Sequence, residues 1–342
     1  MSAPVIESDI LFVDGGPAVP GLVFRRFRGE SDYPPMVAVI EASVEADRIE
    51  RVETVESIAR NYAHLTNSDP YRDMIFAEVG GDVVGYARGW WWEEPGGTRL
   101  YGSVGFLKPD WRRKGIGRTM LRWVEDRLRD VAGDHPTDIP RFFQTFTDLS
   151  ATGFVALFEE AGYTPVRFMH DMVRPSLDDI PDFPLPEGVE VRPVRPEHYR
   201  AIWDADIDAF RGNWGFVEPD EQDYLRWQED RTIFQPDLWQ VAWDAATGEV
   251  AGQVKAYINH KENEKYQRQR GYTEFISVTR PWRRHGLARA LIARSLRLQK
   301  ERGMTDSALG VDSENESGAS RVYEDCGFRV VKRSAIFRKR LQ

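Results

Sequence analysis

Cysteine is almost absent from this chain: Cys326 is the only one among 342 residues. A disulfide within the chain is therefore excluded, and a reducing cytoplasm is the expected setting. Long apolar runs are missing too, since none approaches the roughly 18–20 residues that span a bilayer, so no membrane association is expected. Residues Met1 to Asp9 contain neither the basic nor the apolar stretch of a secretory leader. There is no excess of positive charge. The formal net charge of −9 argues against the broad basic face that nucleic-acid binding requires. No metal-ligand cluster is read and no metal is expected. What remains is a globular composition, 41% hydrophobic and 30% charged.

What is present is a repeat. Trp111-Arg112-Arg113-Lys114-Gly115-Ile116-Gly117-Arg118 returns 171 residues later as Trp282-Arg283-Arg284-His285-Gly286-Leu287-Ala288-Arg289. A chain of this length exceeds one core, and the repeat sets the halves. The Pro175–Gly188 stretch holds four prolines in fourteen residues, which neither a helix nor a central strand tolerates. The expected organisation is an extension over 1–20, a first domain over 21–174, a stiff linker over 175–188 and a second domain over 189–342.

Within each half the pattern runs in parallel. A first strand (Leu22–Phe27, Val189–Val194) precedes a helix (34–47, 196–210) and then a hairpin turning at Gly80-Gly81-Asp82 or near Ala246-Thr247-Gly248. A further strand, 101–107 or 272–279, leads into the repeated segment. An amphipathic helix follows, with Ile116, Met120, Val124 and Leu128 on one face in the first copy and Leu287, Ala290, Leu291 and Leu298 in the second. A short helix later ends at Ala161-Gly162-Tyr163 or Cys326-Gly327-Phe328, the glycine being a helix-ending residue. The reading is α+β: two tandem domains, each a mixed central β-sheet flanked by helices.

The repeated segment suits an anion. A helix start presents unpaired N–H groups with partial positive charge, and glycine lets a phosphate approach the backbone. A Walker A loop is excluded because no Gly-Lys-Ser/Thr follows the first glycine, and a dinucleotide fingerprint because the third glycine and the crossover unit are missing.

On these residues the chain resembles the GNAT superfamily of acyl-CoA-dependent N-acyltransferases, in a tandem form. The family pattern Q/R-x-x-G-x-G/A is matched by Arg112, Gly115 and Gly117, and again by Arg283, Gly286 and Ala288. The stretch Val311 to Ala319, followed by Tyr323-Glu324-Asp325-Cys326-Gly327-Phe328, is similar to the family's N-x-x-A-x-x-x-Y-x-x-x-G-F segment. The resemblance covers about residues 21–174 and 189–340 and implies acetyl-CoA as acyl donor. Its diphosphate would rest on Arg283, Arg284, His285, Gly286, Leu287, Ala288 and Arg289. In the first half the equivalents are Arg112, Arg113, Lys114, Gly115, Ile116, Gly117 and Arg118, beside Leu107. The pantetheine arm would bond to Ile276, Ser277 and Val278, with Asn315 fixing it.

Acyl transfer to an amine needs a base for the ammonium and an acid for the departing thiolate. The resemblance puts the acid at Tyr323, whose counterpart Phe158 has no proton to give. The first half is therefore expected to be catalytically weakened. Glu274 is the candidate base, on a strand whose alternation places Tyr272, Glu274 and Ile276 on one face; its counterpart is Ser103. Asp206, Phe210 and Trp214 are the candidate acceptor wall, acidic and aromatic to suit a cation. In Trp90-Trp91-Trp92, alternation sends neighbours to opposite faces. The implied activity is acetyl-CoA-dependent N-acetyltransfer to a primary amine of a small molecule, by a monomer or homodimer. The alternatives are an acyl-CoA-binding sensor or scaffold without turnover, and a peptide or protein N-acetyltransferase.

Overall fold

The computed structural model describes residues 9–47, 49–315 and 318–341. They form two compact units: unit 1 is Met1–Val166 with Ala335–Gln342, and unit 2 is Arg167–Ser334.

In chain order, unit 1 contains β1 (Ile10–Leu11), β2 (Leu22–Arg25), α1 (Tyr33–Asp47), α2 (Val55–Ala63), α3 (Pro70–Asp73), β3 (Met74–Val79), β4 (Asp82–Glu94), β5 (Thr98–Leu107), α4 (Ile116–Gly133), β6 (Arg141–Asp148) and α5 (Thr152–Glu160). Strands β1 to β5 form an antiparallel run, and β6 joins β5 in parallel from Arg99↔Arg141 to Gly102↔Gln144. Helix α1 buries Met36, Val39 and Ile40 against Met74, Phe76 and Tyr86. Helix α4 covers the opposite face. A Cβ on Gly89 would meet Val124 and Leu128 of α4 at 3.1 Å, so the glycine allows the helix to lie this close. The three tryptophans alternate as strand geometry dictates. Trp90 and Trp92 stack at 5.9 Å over Gly102, while Trp91 packs on His135 at 4.4 Å.

Strand β7 (Thr164–Arg174) carries the chain into unit 2. There follow β8 (Val189–Val191), α6 (Tyr199–Phe210), α7 (Glu221–Glu229), β9 (Gln240–Asp244), β10 (Val250–Val254), α8 (His260–Tyr266), β11 (Arg270–Tyr272), β12 (Ser277–Val278), α9 (Leu287–Glu301), β13 (Asp306–Asp312), α10 (Ala319–Asp325) and β14 (Arg329–Arg340). One sheet segment runs β8-β9-β10-β12 and is antiparallel. Another pairs β11 in parallel with β13, and β13 antiparallel with β7. Helix α9 seats Leu287, Ala290, Leu291, Ile292 and Leu296 in the core, each at most 1% exposed. Each such leucine or isoleucine contributes about 1.5–3 kcal/mol.

The compact units do not follow the repeat boundary. Residues 167–174 of β7 lie in unit 2 and residues 335–342 lie in unit 1. Each unit thus takes its last strand from the other half of the sequence. The cause is local pairing: β7 is zipped to β13 from Arg174↔Ser307 to Met169↔Asp312, and Arg174 donates to Cys326 O at 2.6 Å. Gly327 (φ +87°) leaves room for that guanidinium, which a Cβ would meet at 1.9 Å. Nor is the proline-rich stretch a free spacer. It has no regular structure, yet Leu177 is 2% exposed and Ile180, Phe183 and Leu185 pack against the same core.

Candidate active site

Both copies of the repeated segment fold alike. A 3₁₀ turn (Pro109–Trp111, Arg280–Trp282) is followed by an extended arginine, a left-handed arginine (Arg113 φ +59°, Arg284 φ +65°) and a left-handed glycine (Gly115 φ +87°, Gly286 φ +83°). Positive φ at two such positions turns successive N–H groups inward to a concave nest. The helical ladder of α9 begins only with Ala290 N–H to Gly286 O at 3.1 Å. The amides of Leu287, Ala288 and Arg289 therefore precede it and are the helix-start donors. Nothing lies within 4 Å of where a Cβ on Gly286 would stand, so the glycine keeps this concavity open. These features fit a diphosphate.

The two signature arginines do a different job. Arg283 Nε donates to Val278 O at 3.1 Å and its Nη2 to Ala209 O at 3.2 Å. Arg112 Nε donates to Leu107 O at 3.2 Å, and its other nitrogens pair with Asp47 at 2.6 and 2.8 Å. Each ties the segment back to the preceding strand and first helix rather than pointing its charge outward. Arg118 and Arg289 form ion pairs with Glu160 and Asp325. Lys114 lies over the Trp111 ring at 4.6 Å, and His285 Nδ1 is 2.8 Å from Arg283 O. Ile116 and Leu287 are buried core residues, while Gly117 and Ala288 are half-buried.

The strand before the second segment is not the single run expected over 272–279. It is two pieces, β11 and β12, separated by a kink at Phe275 (φ +48°). A left-handed aromatic residue costs about 1–2 kcal/mol. The kink breaks the alternation expected for Tyr272, Glu274 and Ile276. Pairing with β13 ends at Tyr272↔Ala308 and Thr273 N–H to Ala308 O, whereas pairing with β10 resumes at Ser277↔Gln253 and Val278↔Gly252. The two strands part beyond Thr273. A buried polar set marks the parting point: Thr273 Oγ1 lies 2.8 Å from Ser307 Oγ and accepts from Gln299 Nε2 at 2.8 Å.

Glu274 reaches across this opening. Its Oε1 accepts the Gly310 N–H of β13 at 2.8 Å. Burial pushes its carboxyl up to about 7 from an ordinary 4.5, opposed by the Gly310 bond and assisted by the charge of Asp171. Asp171 stands opposite Gly310 on β7. Sequence reasoning missed it, because it belongs to the first copy of the repeat. Tyr323 of α10 is 8% exposed; burial, then the charges of Glu274 and Cys326, hold its phenol above the ordinary range. Burial also pushes the Cys326 thiol up to about 12, leaving it a neutral core group. In unit 1, Phe158 sits among Phe154, Tyr163 and Phe337, and Ser103 is buried.

Asn315 lies in the turn after β13, where its N–H donates to Asp312 O at 3.2 Å. Glu316 and Ser317 of the same motif fall outside the described residues. The acceptor wall drawn from sequence is not assembled as expected. Asp206 accepts from Lys255 Nζ at 2.7 Å and Gln253 Nε2 at 2.9 Å, so a buried cation already neutralises it. Trp214 is exposed under the Arg167 guanidinium at 5.5 Å, and Phe210 ends α6. A wide, open depression of about 530 Å³ lies beside α6 and α7, lined by Trp203, Val217, Asp223, Arg226, Trp227 and Asp230 among others. The sequence cue for these was the density of tryptophan, tyrosine and acid over 199–230. Among the described residues no group of three His, Cys, Asp or Glu is placed to hold a metal, and no helix is long and apolar enough to cross a membrane.

Comparison with known proteins agrees with this geometry. The acetyltransferase (GNAT) family matches residues 39–163 and 199–328, the two copies of the repeat. The mycothiol acetyltransferase of Salinispora arenicola is 27% identical over 81% of this chain and 76% of its own length. That of Streptomyces bingchenggensis is 27% identical over 92% and 96%. The crystal structure of a GCN5-related N-acetyltransferase from Sphaerobacter thermophilus superposes with a TM-score of 0.72 at 25% identity, covering 93% of this chain and 95% of that one. A tandem GNAT protein from the clavulanic acid biosynthesis pathway shares the fold with a TM-score of 0.63 at 17% identity, covering 93% and 98%. The chain belongs to the acetyltransferase (GNAT) family and is an acyltransferase built from two such repeats in tandem.

Proposed function

We propose that this protein is an acetyl-CoA-dependent N-acetyltransferase acting on a primary amine of a small molecule, with its chemistry in unit 2. The observation that carries this reading is Glu274: a carboxylate set into the opening between two strands, 2.8 Å from the Gly310 N–H, with a proton affinity centred at about 7.

Acetyl-CoA, when bound, supplies an acetyl group activated as a thioester. The nest of residues 284–289 would hold its diphosphate, and the freed edge of residues 276–278 its arm. Glu274 does the proton work at the acceptor. An alkyl ammonium near pKa 10 is a poor nucleophile at neutral pH, and a carboxylate poised near 7 can relieve it of its proton. Tyr323 keeps its own proton throughout the neutral range, so it can donate to a departing thiolate. Unit 1 offers Ser103 and Phe158 at the matched positions, and neither does this work.

The open depression beside α6 and α7 is the proposed acceptor lobe, with Trp203, Trp227 and Asp230 in place of the wall read from sequence. The relatives named mycothiol acetyltransferase support a small-molecule acceptor. The deciding experiment is thiol release from acetyl-CoA over a panel of amines, run beside calorimetry. Binding with turnover on at least one small amine is expected. Binding with no turnover on any small amine or peptide N-terminus would make the protein a coenzyme-binding module instead.

A further inference from the structure

Lys255 is 2% exposed; its ammonium donates to Asp206 at 2.7 Å, and Gln253 Nε2 donates to the same carboxylate at 2.9 Å. Its Nζ also lies 5.1 Å from the ring centres of both Trp227 and Phe275. Phe275 is the kinked residue, and the Lys255 backbone N–H donates to Glu274 O at 3.0 Å, one residue before the kink. Lysine 255 therefore holds the kink twice, from the main chain on one side and through the aromatic face on the other.

A buried ion pair is a poor stabiliser. Removing two charges from water costs as much as their attraction returns, and apolar replacements are often neutral or favourable. A desolvated ammonium over an aromatic face is attracted to it more strongly than an exposed one. This pair therefore serves position better than stability.

The repeat supplies a control. Lys255 follows Gly252 by three residues, and Arg88 follows Gly85 by three; both glycines pair with the residue that ends the next strand, Val278 and Leu107. Asp206 is the eighth residue of α6, and the eighth of α1 is Ile40, which is buried. Unit 1 keeps the cation and lacks the acid. Its Arg88 lies over Tyr62 and Trp90 instead, and β5 runs from Thr98 to Leu107 with no left-handed residue. The ion pair and the kink occur together in unit 2, and neither occurs at the matched positions of unit 1.

We infer that the Lys255–Asp206 pair is a positioning device for acyl transfer: its ammonium grips the Phe275 ring and so holds residues 274–276 in the bent course that opens the strands and aims Glu274. The catalytic half of this inference rests on the function proposed above; the conformational half does not.

The test uses the full chain with Lys255→Met/Asp206→Asn, which removes both charges together so that none is left buried alone, and Lys255→Arg as the conservative variant. The double variant should keep its melting temperature to within a few degrees. Its amides over 274–278 should exchange on the order of 10-fold faster, because the kink has lost its hold. Its kcat should fall roughly 10- to 100-fold, with KM for acetyl-CoA held within about threefold. Lys255→Arg should restore most of both. Wild-type exchange over 274–278 in the double variant would overturn the inference, as would faster exchange with unchanged kcat. Should the wild type transfer to no amine while the exchange difference appears, the proposed function falls and the positioning of the kink stands.

Discussion

The two units share one repeated segment and differ in the strand that leads into it, beside nearly identical nests. Arg113 and Arg284 differ by only 6° in φ, and Gly115 and Gly286 by 4°. Yet β5 pairs with β4 over all ten residues, from Gly85↔Leu107 to Glu94↔Thr98, while its counterpart is cut in two at Phe275. The surroundings differ as well. Pro17 stands 3.1 Å from where a Cβ on Gly115 would lie and Arg122 bonds to Asp14 O, whereas the same position on Gly286 is open. An anion-type nest is therefore easy to duplicate, being backbone geometry fixed by glycine and a helix start. The proposed reacting centre joins a bent strand, a carboxylate drawn out of water and a phenol near it, and among the described residues these accompany each other only in unit 2.

The comparison would break most severely at Glu274. Glu274→Gln should lower kcat by about 10²–10³-fold, the range of a general base. The wild-type rate should climb with pH through about 7, where the carboxyl loses its proton, and that climb should vanish in the variant. The sign for stability is opposite. The folded group holds its proton above the ordinary 4.5, so its contribution to stability is greatest below 4.5 and declines as pH rises to about 7. Equal pH profiles for variant and wild type would remove Glu274 from the base role.

Breaking the nests separately is the next test. Gly286→Val forces a branched side chain into a left-handed position and into the anion's space, and acetyl-CoA binding should weaken by about 100-fold. Gly115→Val should leave turnover within about twofold, since the proposed base and acid both lie in unit 2. A comparable loss from both would show that unit 1 shares in the chemistry. Tyr323→Phe should cost about 10- to 100-fold in kcat with little change in acetyl-CoA affinity, and Phe158→Tyr should gain nothing. The smallest effect is expected from Asp171→Asn. Removing that charge should move the midpoint of the pH–rate profile downward by less than about one unit; an upward shift would contradict the electrostatics drawn here.

Much of this was legible in the chain. The paired Trp-Arg-Arg segments gave the nests, because glycine at a helix start has one main physical use when flanked by a strand and an amphipathic helix. Alternating runs and glycine turns gave the hairpins, and the Tyr323/Phe158 difference is read directly from the chain. Other features were hidden because they depend on partners distant in sequence. Asp206 reads as a free acid until Lys255 is found 49 positions away against it. The lone polar residues Gln253 and Lys255, two apart in an apolar strand, were the cue for that partner. Phe275 carries no turn signal, and its left-handed backbone shows only in the structure. Asp171 sits in the first copy by sequence and beside Gly310 by pairing.

By itself the sequence determined the periodic elements, the duplicated nest and the family, because these rest on spacing along the chain. Tertiary structure alone decided where the strand bends, which acid is spent on an ion pair, and which copy each final strand completes. Those outcomes depend on burial and on contacts between residues far apart, and no local pattern carries that information.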